Sequence, residues 1–141
     1  MVSMMVIIDT NVIYSGLKSK RGASYKLLDF LGKGEIHYGI SNALLFEYED
    51  VLKRNQALLK LTDVKLNNFL DGLATLGEPF TSKFLWRPFL KDPKDDHILE
   101  LAVVARAQTI ISYNKSDFKG SDQFGVTILD PKEYLLERKL I

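Results

Sequence analysis

Met4-Met5-Val6-Ile7-Ile8-Asp9-Thr10-Asn11 is the stretch that decides how the rest of the chain is read. Its apolar run, closing on two β-branched isoleucines, has the pattern of a short strand buried on both faces, as in a parallel sheet. Such a strand ordinarily ends in a turn. Here a carboxylate, a hydroxyl and an amide follow in succession, and the apolar Val12-Ile13 comes next. In open α/β sheets ligands bind at the carboxyl ends of strands, which makes a lone Asp there a candidate for chemistry. Asp9 is equally suited to cap a helix starting near Asn11. The stretch alone leaves both readings open.

Downstream, Lys18-Ser19-Lys20-Arg21-Gly22 forms a basic loop, and apolar residues at 27, 28 and 31 give a helical stripe from Ala23 to Leu31, ended by Gly32 and Gly34. Ile36, Tyr38 and Ile40 alternate with His37 and Gly39 as in a second strand, and Ser41 offers an N-cap. The helix it opens carries Leu44, Leu45, Tyr48, Val51 and Leu52 on one side. Of its acids only Glu47 borders that stripe, whereas Glu49 and Asp50 point away. Thr62 or Asp63 caps a further helix through Leu76, closed by Gly77. Residues 78–94 are irregular, with Phe80, Phe84, Leu85, Trp86 and Phe89 packed under a loop or forming one short strand. Asp95-Asp96 opens an almost wholly apolar helix from Ile98 to Ala107 that feeds the strand Thr109–Ser112. A polar loop from Tyr113 to Asp122, a last strand at 126–129 and a terminal helix behind Asp130-Pro131 complete the chain.

Strands alternating with helices predict an α/β fold: a three-layer α/β/α sandwich with a mostly parallel sheet of four to five strands. In that architecture every helix N-terminus lies on the same edge as every strand C-terminus. Asp9, Asp96 and Asp117 therefore fall on one edge. Glu47, about 9 Å down its helix from Ser41 and leaning back toward the N-terminus, reaches the same edge.

With 141 residues, 46% hydrophobic and 26% charged, the chain suits a single domain spanning 1–141. The absence of cysteine excludes disulfides, thiolate metal sites and Cys nucleophiles, so a bound metal would take oxygen or histidine ligands and be a hard cation. The opening residues lack a basic n-region, and the apolar run stops at Asp9, too short for a signal or a membrane span. A cytoplasmic protein with no membrane partner is expected. A net charge of +1 announces no nucleic acid by itself, and local clusters matter more.

Four carboxylates on one edge repel one another unless protonated or bridged by a divalent cation. Mg²⁺ or Mn²⁺ would take such oxygens, activate a water and neutralise a phosphate, which points to phosphodiester hydrolysis. Taken singly, each acid has an ordinary reading. Asp95 and Asp96 make a capping pair that complements the helix dipole, and Asp117 is a loop residue.

Ile7-Ile8-Asp9-Thr10-Asn11-Val12, Ser41-Asn42-Ala43-Leu44-Leu45-Phe46-Glu47, Asp92-Pro93-Lys94-Asp95-Asp96 leading into Leu99-Glu100-Leu101-Ala102, and Ile111-Ser112-Tyr113-Asn114-Lys115-Ser116-Asp117-Phe118 resemble, in this order, the signature blocks of PIN-domain nucleases. The resemblance covers almost the whole chain. It is closest to the branch that holds the toxins of toxin–antitoxin pairs, the VapC proteins. It implies a metal-dependent endoribonuclease in which Asp9, Glu47, Asp96 and Asp117 bind Mg²⁺ (or Mn²⁺), with Thr10, Asn11 and Ser112 orienting them through hydrogen bonds. It also implies RNA as substrate, an antitoxin protein as partner and a homodimer. Many members carry an acid where Asn114 stands, so either Asp117 takes the fourth role or Asn114 serves as a neutral oxygen ligand.

Lys18, Lys20 and Arg21 follow the first strand, and Lys91, Lys94, Lys115 and Lys119 flank the other acids, so positive charge is expected to bracket the site and hold RNA. Tyr14, Tyr113 and Phe118 are placed to stack bases or simply to pack. His97 reads as an ordinary helix-surface residue. A haloacid-dehalogenase-like phosphatase, the rival enzyme, wants a second acid two residues after the first, where this chain has Asn11. No phosphate loop supports an NTPase. The other alternative is a catalytically impaired PIN-like adaptor or binding module.

Overall fold

A computed structural model describes residues 4–81, 90 and 92–141 of the chain. Phe84, Leu85, Trp86, Phe89 and Lys91 lie outside the described residues. Strands β1 (Val6–Ile8), β4 (Thr109–Ile111) and β5 (Thr127–Leu129) form a parallel ladder in the order β1-β4-β5, with Ile7 opposite Ile110 and Ile110 opposite Ile128. Strands β2 (Gly39–Ile40) and β3 (Glu78–Pro79) form a second parallel pair, stitched to β1 by a bridge between Val6 and Tyr38, where Val6 N–H donates to the His37 carbonyl at 3.0 Å. The strands thus run β3-β2-β1-β4-β5, all parallel. The short strand allowed for between 78 and 94 is β3. Every residue of β1 and β4 is buried, as an unbroken apolar run requires when both sheet faces are covered.

The helices are α1 (Thr10–Lys18), α2 (Ala23–Gly32), α3 (Asn42–Arg54), α4 (Gln56–Leu59), α5 (Asp63–Leu76), α6 (Asp96–Val104) and α7 (Pro131–Glu137). Helix α1 is the element that sequence patterning passes over. Its buried residues, Thr10, Val12, Ile13 and Gly16, mix small and β-branched types and make no regular stripe. What holds it is tertiary. A Cβ on Gly16 would stand 2.5 Å from Leu28 Cδ1 and 3.0 Å from the Ser24 carbonyl, so α1 and α2 approach as closely as they do because Gly16 has no side chain. Ser41 caps α3 and Thr62 caps α5, as their sequences indicate. Asp130 and Glu133 close a reciprocal capping box at the start of α7. The polar loop after β4 winds into 3-10 turns at Lys115–Phe118 and Ser121–Phe124.

Successive strands move outward from β1 through β2 to β3, and the chain then returns to place β4 on the other side of β1. The direction of winding reverses between β1 and β4. At such a reversal the connections leave to opposite faces, and the carboxyl ends of the two central strands border a crevice. Asp9 follows β1 and Ser112 follows β4, so both stand at that crevice.

Candidate active site

Asp9 is at once strand end and helix cap, so the two readings of the first stretch are both true. Its backbone N–H continues the ladder to the Ile111 carbonyl at 2.9 Å, while its Oδ1 accepts the Thr10 N–H at 2.8 Å as the N-cap of α1. Its Oδ2 accepts from Ser112 Oγ at 2.7 Å and from Asn11 Nδ2 at 3.2 Å. The hydroxyl of Ser112, itself fully buried, accepts the Asn114 N–H at 3.0 Å, and Asn11 Oδ1 accepts the Tyr113 N–H at 3.3 Å. A short net thus ties the ends of β1 and β4 across the crevice. Asp9 is 7% exposed, and its pKa is raised: burial is the largest cause, the Ser112 and Thr10 bonds offset part of it, and the charges of Glu47 and Asp117 add to it.

Glu47 is brought to this edge by its neighbour. Tyr48 is wholly buried and donates its hydroxyl to the Ile8 carbonyl, which fastens α3 to the last residue of β1. With α3 held there, Glu47 Oε2 accepts from the Thr10 hydroxyl and Oε1 lies 3.1 Å from His97 Nε2. Burial pushes the Glu47 pKa up, but the hydrogen bonds from His97 and Thr10 and the His97 charge outweigh it, leaving Glu47 below the ordinary carboxylate range. His97 is therefore no mere surface residue. Only 17% of its side chain is exposed, and its buried Nδ1 has no hydrogen-bond partner. No spacing signal pointed to it, because its partner is on another helix.

At the start of α6 the structure separates the two adjacent acids. Asp96, 1% exposed, turns inward and its Oδ1 accepts the Leu90 N–H at 2.8 Å. Asp95, half-buried at the N-cap position, is the acid that feels the others. Its pKa is raised to about 7, first by burial and then by the charges of Asp9, Asp117, Asp92 and Glu47. Asp95 thus stands in the electrostatic place where sequence reasoning puts Asp96. The reason is rotational: one residue is 100° on a helix, and apolar periodicity does not say which of two neighbouring acids faces outward when the helix is apolar nearly all round.

Asp117 sits in the 3-10 turn anchored by the buried Phe118, and its charge is sensed by both Asp9 and Asp95. Asn114, exposed at the head of that turn, contributes its backbone N–H to Ser112, and its side chain makes no capping bond. The basic residues are placed less simply. Helix α1 starts at the carboxylate edge and runs away from it, so Lys18, at its last turn, is about 12 Å from Thr10 along the axis. Lys20 and Arg21 are exposed in the loop beyond. They lie a helix length from the acids and not at their edge. Lys115 pairs with Glu133. Tyr113 bonds through its hydroxyl to Ser24, so it lies along α1 and α2, and Phe118 is a core residue.

All the acidic donors are carboxylates, the hard oxygen ligands that Mg²⁺ and Mn²⁺ prefer, and the raised Asp9 and Asp95 show the repulsion that a dication relieves. Among the described residues no three His, Asp or Glu side chains converge closely enough to hold an ion by themselves. That spacing suits Mg²⁺, which is usually bound by one or two carboxylates and keeps several waters. No helix among the described residues is long and apolar enough to cross a membrane.

Comparison with known proteins agrees with this geometry. A family model described as PIN domain matches residues 5–116. The fold is similar to the crystal structure of VapBC2 from Rickettsia felis bound to a DNA fragment from their promoter, with a TM-score of 0.57 and 15% sequence identity over 90% of this chain and 98% of that chain. No curated protein matches the sequence at a significant level.

Proposed function

The chain belongs to the PIN-domain family, whose members are generally nucleases, and on that premise we propose that it is a metal-dependent endoribonuclease acting as the toxin of a toxin–antitoxin pair. The observation that carries this reading is the gathering of Asp9, Glu47, Asp95 and Asp117 at the reversal of strand order, where Asp9 and Asp95 hold protons more tightly than free carboxylates do. Asp9 and Asp95 would hold Mg²⁺ or Mn²⁺, with Asp117 or Asn114 beside them. Such an ion, when bound, activates a water and neutralises charge on the phosphate under attack. The chain's own residues set the stage for it. Ser112 and the Thr10 N–H fix both oxygens of Asp9, so its carboxylate cannot swing to a competing partner. Thr10 and His97 engage both oxygens of Glu47, which makes Glu47 a fixed negative charge beside the ion in the first instance and a direct ligand only if one of those contacts is released.

The fold shared with VapBC2, which binds a promoter DNA fragment, supports an antitoxin protein as partner. A homodimer in the cytoplasm remains part of the reading, and light scattering checks the first: a 16 kDa particle at micromolar concentration would contradict it. The decisive experiment incubates the protein with single-stranded RNA in EDTA, Mg²⁺ or Mn²⁺. Cleavage with either metal and none in EDTA is expected. RNA binding without cleavage in any of them selects the second reading, a catalytically impaired binding module, which the wide spacing of the acids favours.

A further inference from the structure

We propose that the hollow lined by Thr10, Asn11, Tyr14, Val51 and Asn55 seats an unpaired base of the RNA, next to the phosphate that is cut. The inference rests on the nuclease reading and names a part of the substrate that the acids do not touch. The hollow has a volume of about 290 Å³ and lies between α1 and α3. It adjoins the acids directly. Thr10, on its wall, bonds to Asp9 through its N–H and to Glu47 through its hydroxyl. Val51 is one helical turn beyond Glu47 on α3, about 6 Å along the axis, a step that one nucleotide spans between its phosphate and its base.

The chemistry of the lining separates a base from a phosphate. None of the five residues is charged, so nothing in the hollow would hold a phosphate, and no carboxylate there would repel the chain. Tyr14 offers an aromatic ring, Val51 an apolar floor, and Asn11 and Asn55 amide edges. Flat aromatic rings with polar edges are what such a wall accepts, since stacking on an aromatic side chain is the sequence-tolerant way proteins hold unpaired bases. Asn55 donates one N–H to the Val51 carbonyl at 2.8 Å, which fixes its amide and leaves the oxygen and the other N–H for a base edge. One turn further along α1, Lys18 Nζ stands 5.7 Å from the centre of the Tyr14 ring. That places a cation where the next phosphate would pass, and it gives the distant Lys18, Lys20 and Arg21 a role: they receive a strand laid along α1 from the acids.

Titration with AMP, CMP, GMP and UMP in EDTA, followed by amide NMR, tests the hollow without calling on cleavage. Shifts centred on Thr10, Tyr14, Val51 and Asn55 are expected, with affinity about tenfold weaker in Tyr14→Ala and retained in Tyr14→Phe, which keeps the ring. Val51→Phe, which fills the hollow while leaving the acids in place, should raise KM for RNA about tenfold with kcat unchanged. Shifts elsewhere, or none at millimolar nucleotide, overturn the proposal. RNA cleaved with unaltered KM by Val51→Phe and Tyr14→Ala overturns the hollow and leaves the nuclease reading standing. Nucleotides bound in the hollow of a protein that cuts no RNA in Mg²⁺ or Mn²⁺ would uphold the hollow and sink the nuclease reading.

Discussion

Around Asp9 the polar contacts hang on strand ends: the ladder bond to Ile111, the Ser112 hydroxyl and the Asn114 and Tyr113 amides all belong to β1, β4 or the residues that follow them. Around Glu47 and Asp95 the contacts run instead between helices, from α1 and α6 to α3, and one buried imidazole nitrogen is left without a partner. A strand end is located by the ladder that precedes it, so its chemistry is set to within a fraction of a residue. A helix face is located by rotation, and a single step along the chain replaces one acid by another. The Asp9 half is therefore a fixed frame, and the other half is the adjustable side of the site.

The largest effect expected from this contrast is in the frame. Asp9→Asn should lower RNA cleavage in Mg²⁺ by orders of magnitude while leaving metal-free stability unchanged or higher, because the ionised carboxylate is buried beside other charges and Asn can still cap α1. Cleavage rates with thermal melts of the same samples check it, and full activity would dismiss the site.

On the adjustable side the neighbouring acids should part company. Asp95→Asn should cost most of the activity and little stability. Asp96→Ala should strand the buried Leu90 N–H, lower stability by about 1–3 kcal/mol and cut the melting temperature by several degrees. Assays well below the melting temperature distinguish the two, and equal losses of activity would restore Asp96 to the metal. Asp117→Ala should weaken calorimetric Mn²⁺ binding more than Asn114→Ala does, since Asp117 carries a charge that Asp9 and Asp95 both sense. The reverse ranking would make the amide the ligand.

A smaller signature lies in pH. Folded Asp95 holds its proton up to about pH 7, whereas in the unfolded chain the group has the model value of 3.8, so the folded form binds the extra proton between those values. Stability in EDTA should therefore fall as pH rises from about 4 to about 7 and level off above. The slope should shrink in Asp95→Asn, and melts of both proteins across that range measure it. Identical slopes would place Asp95 away from the other charges.

The unbroken apolar stretch ending at Ile8 and the one ending at Ile111 made the central strands legible, because a strand buried on both faces shows no polar interruption until it reaches the edge. Asp9, Thr10, Asn11 and Ser112 were legible for the same reason. Glu47 could be placed because it alone among the acids of α3 borders the apolar stripe. Helix α1 escaped notice: its support comes from α2 through Gly16, a contact between elements that no local pattern encodes. That omission carried the basic loop with it, since without nine helical residues in between, Lys18, Lys20 and Arg21 fall beside the acids. His97 and the choice of Asp95 over Asp96 depend on how α6 is turned about its axis against α3, which is decided by packing in three dimensions.

The hydroxyl of Ser112 reaches Asp9 across 103 positions of sequence. During synthesis on a ribosome the first strand emerges with its aspartate long before the residue that orients it exists. A partly made chain can bury β1 against α3, yet Asp9 then lacks its Ser112 and β4 partners. For a protein that would cut RNA beside the machinery producing it, the order of the chain delays competence until the fold is nearly complete.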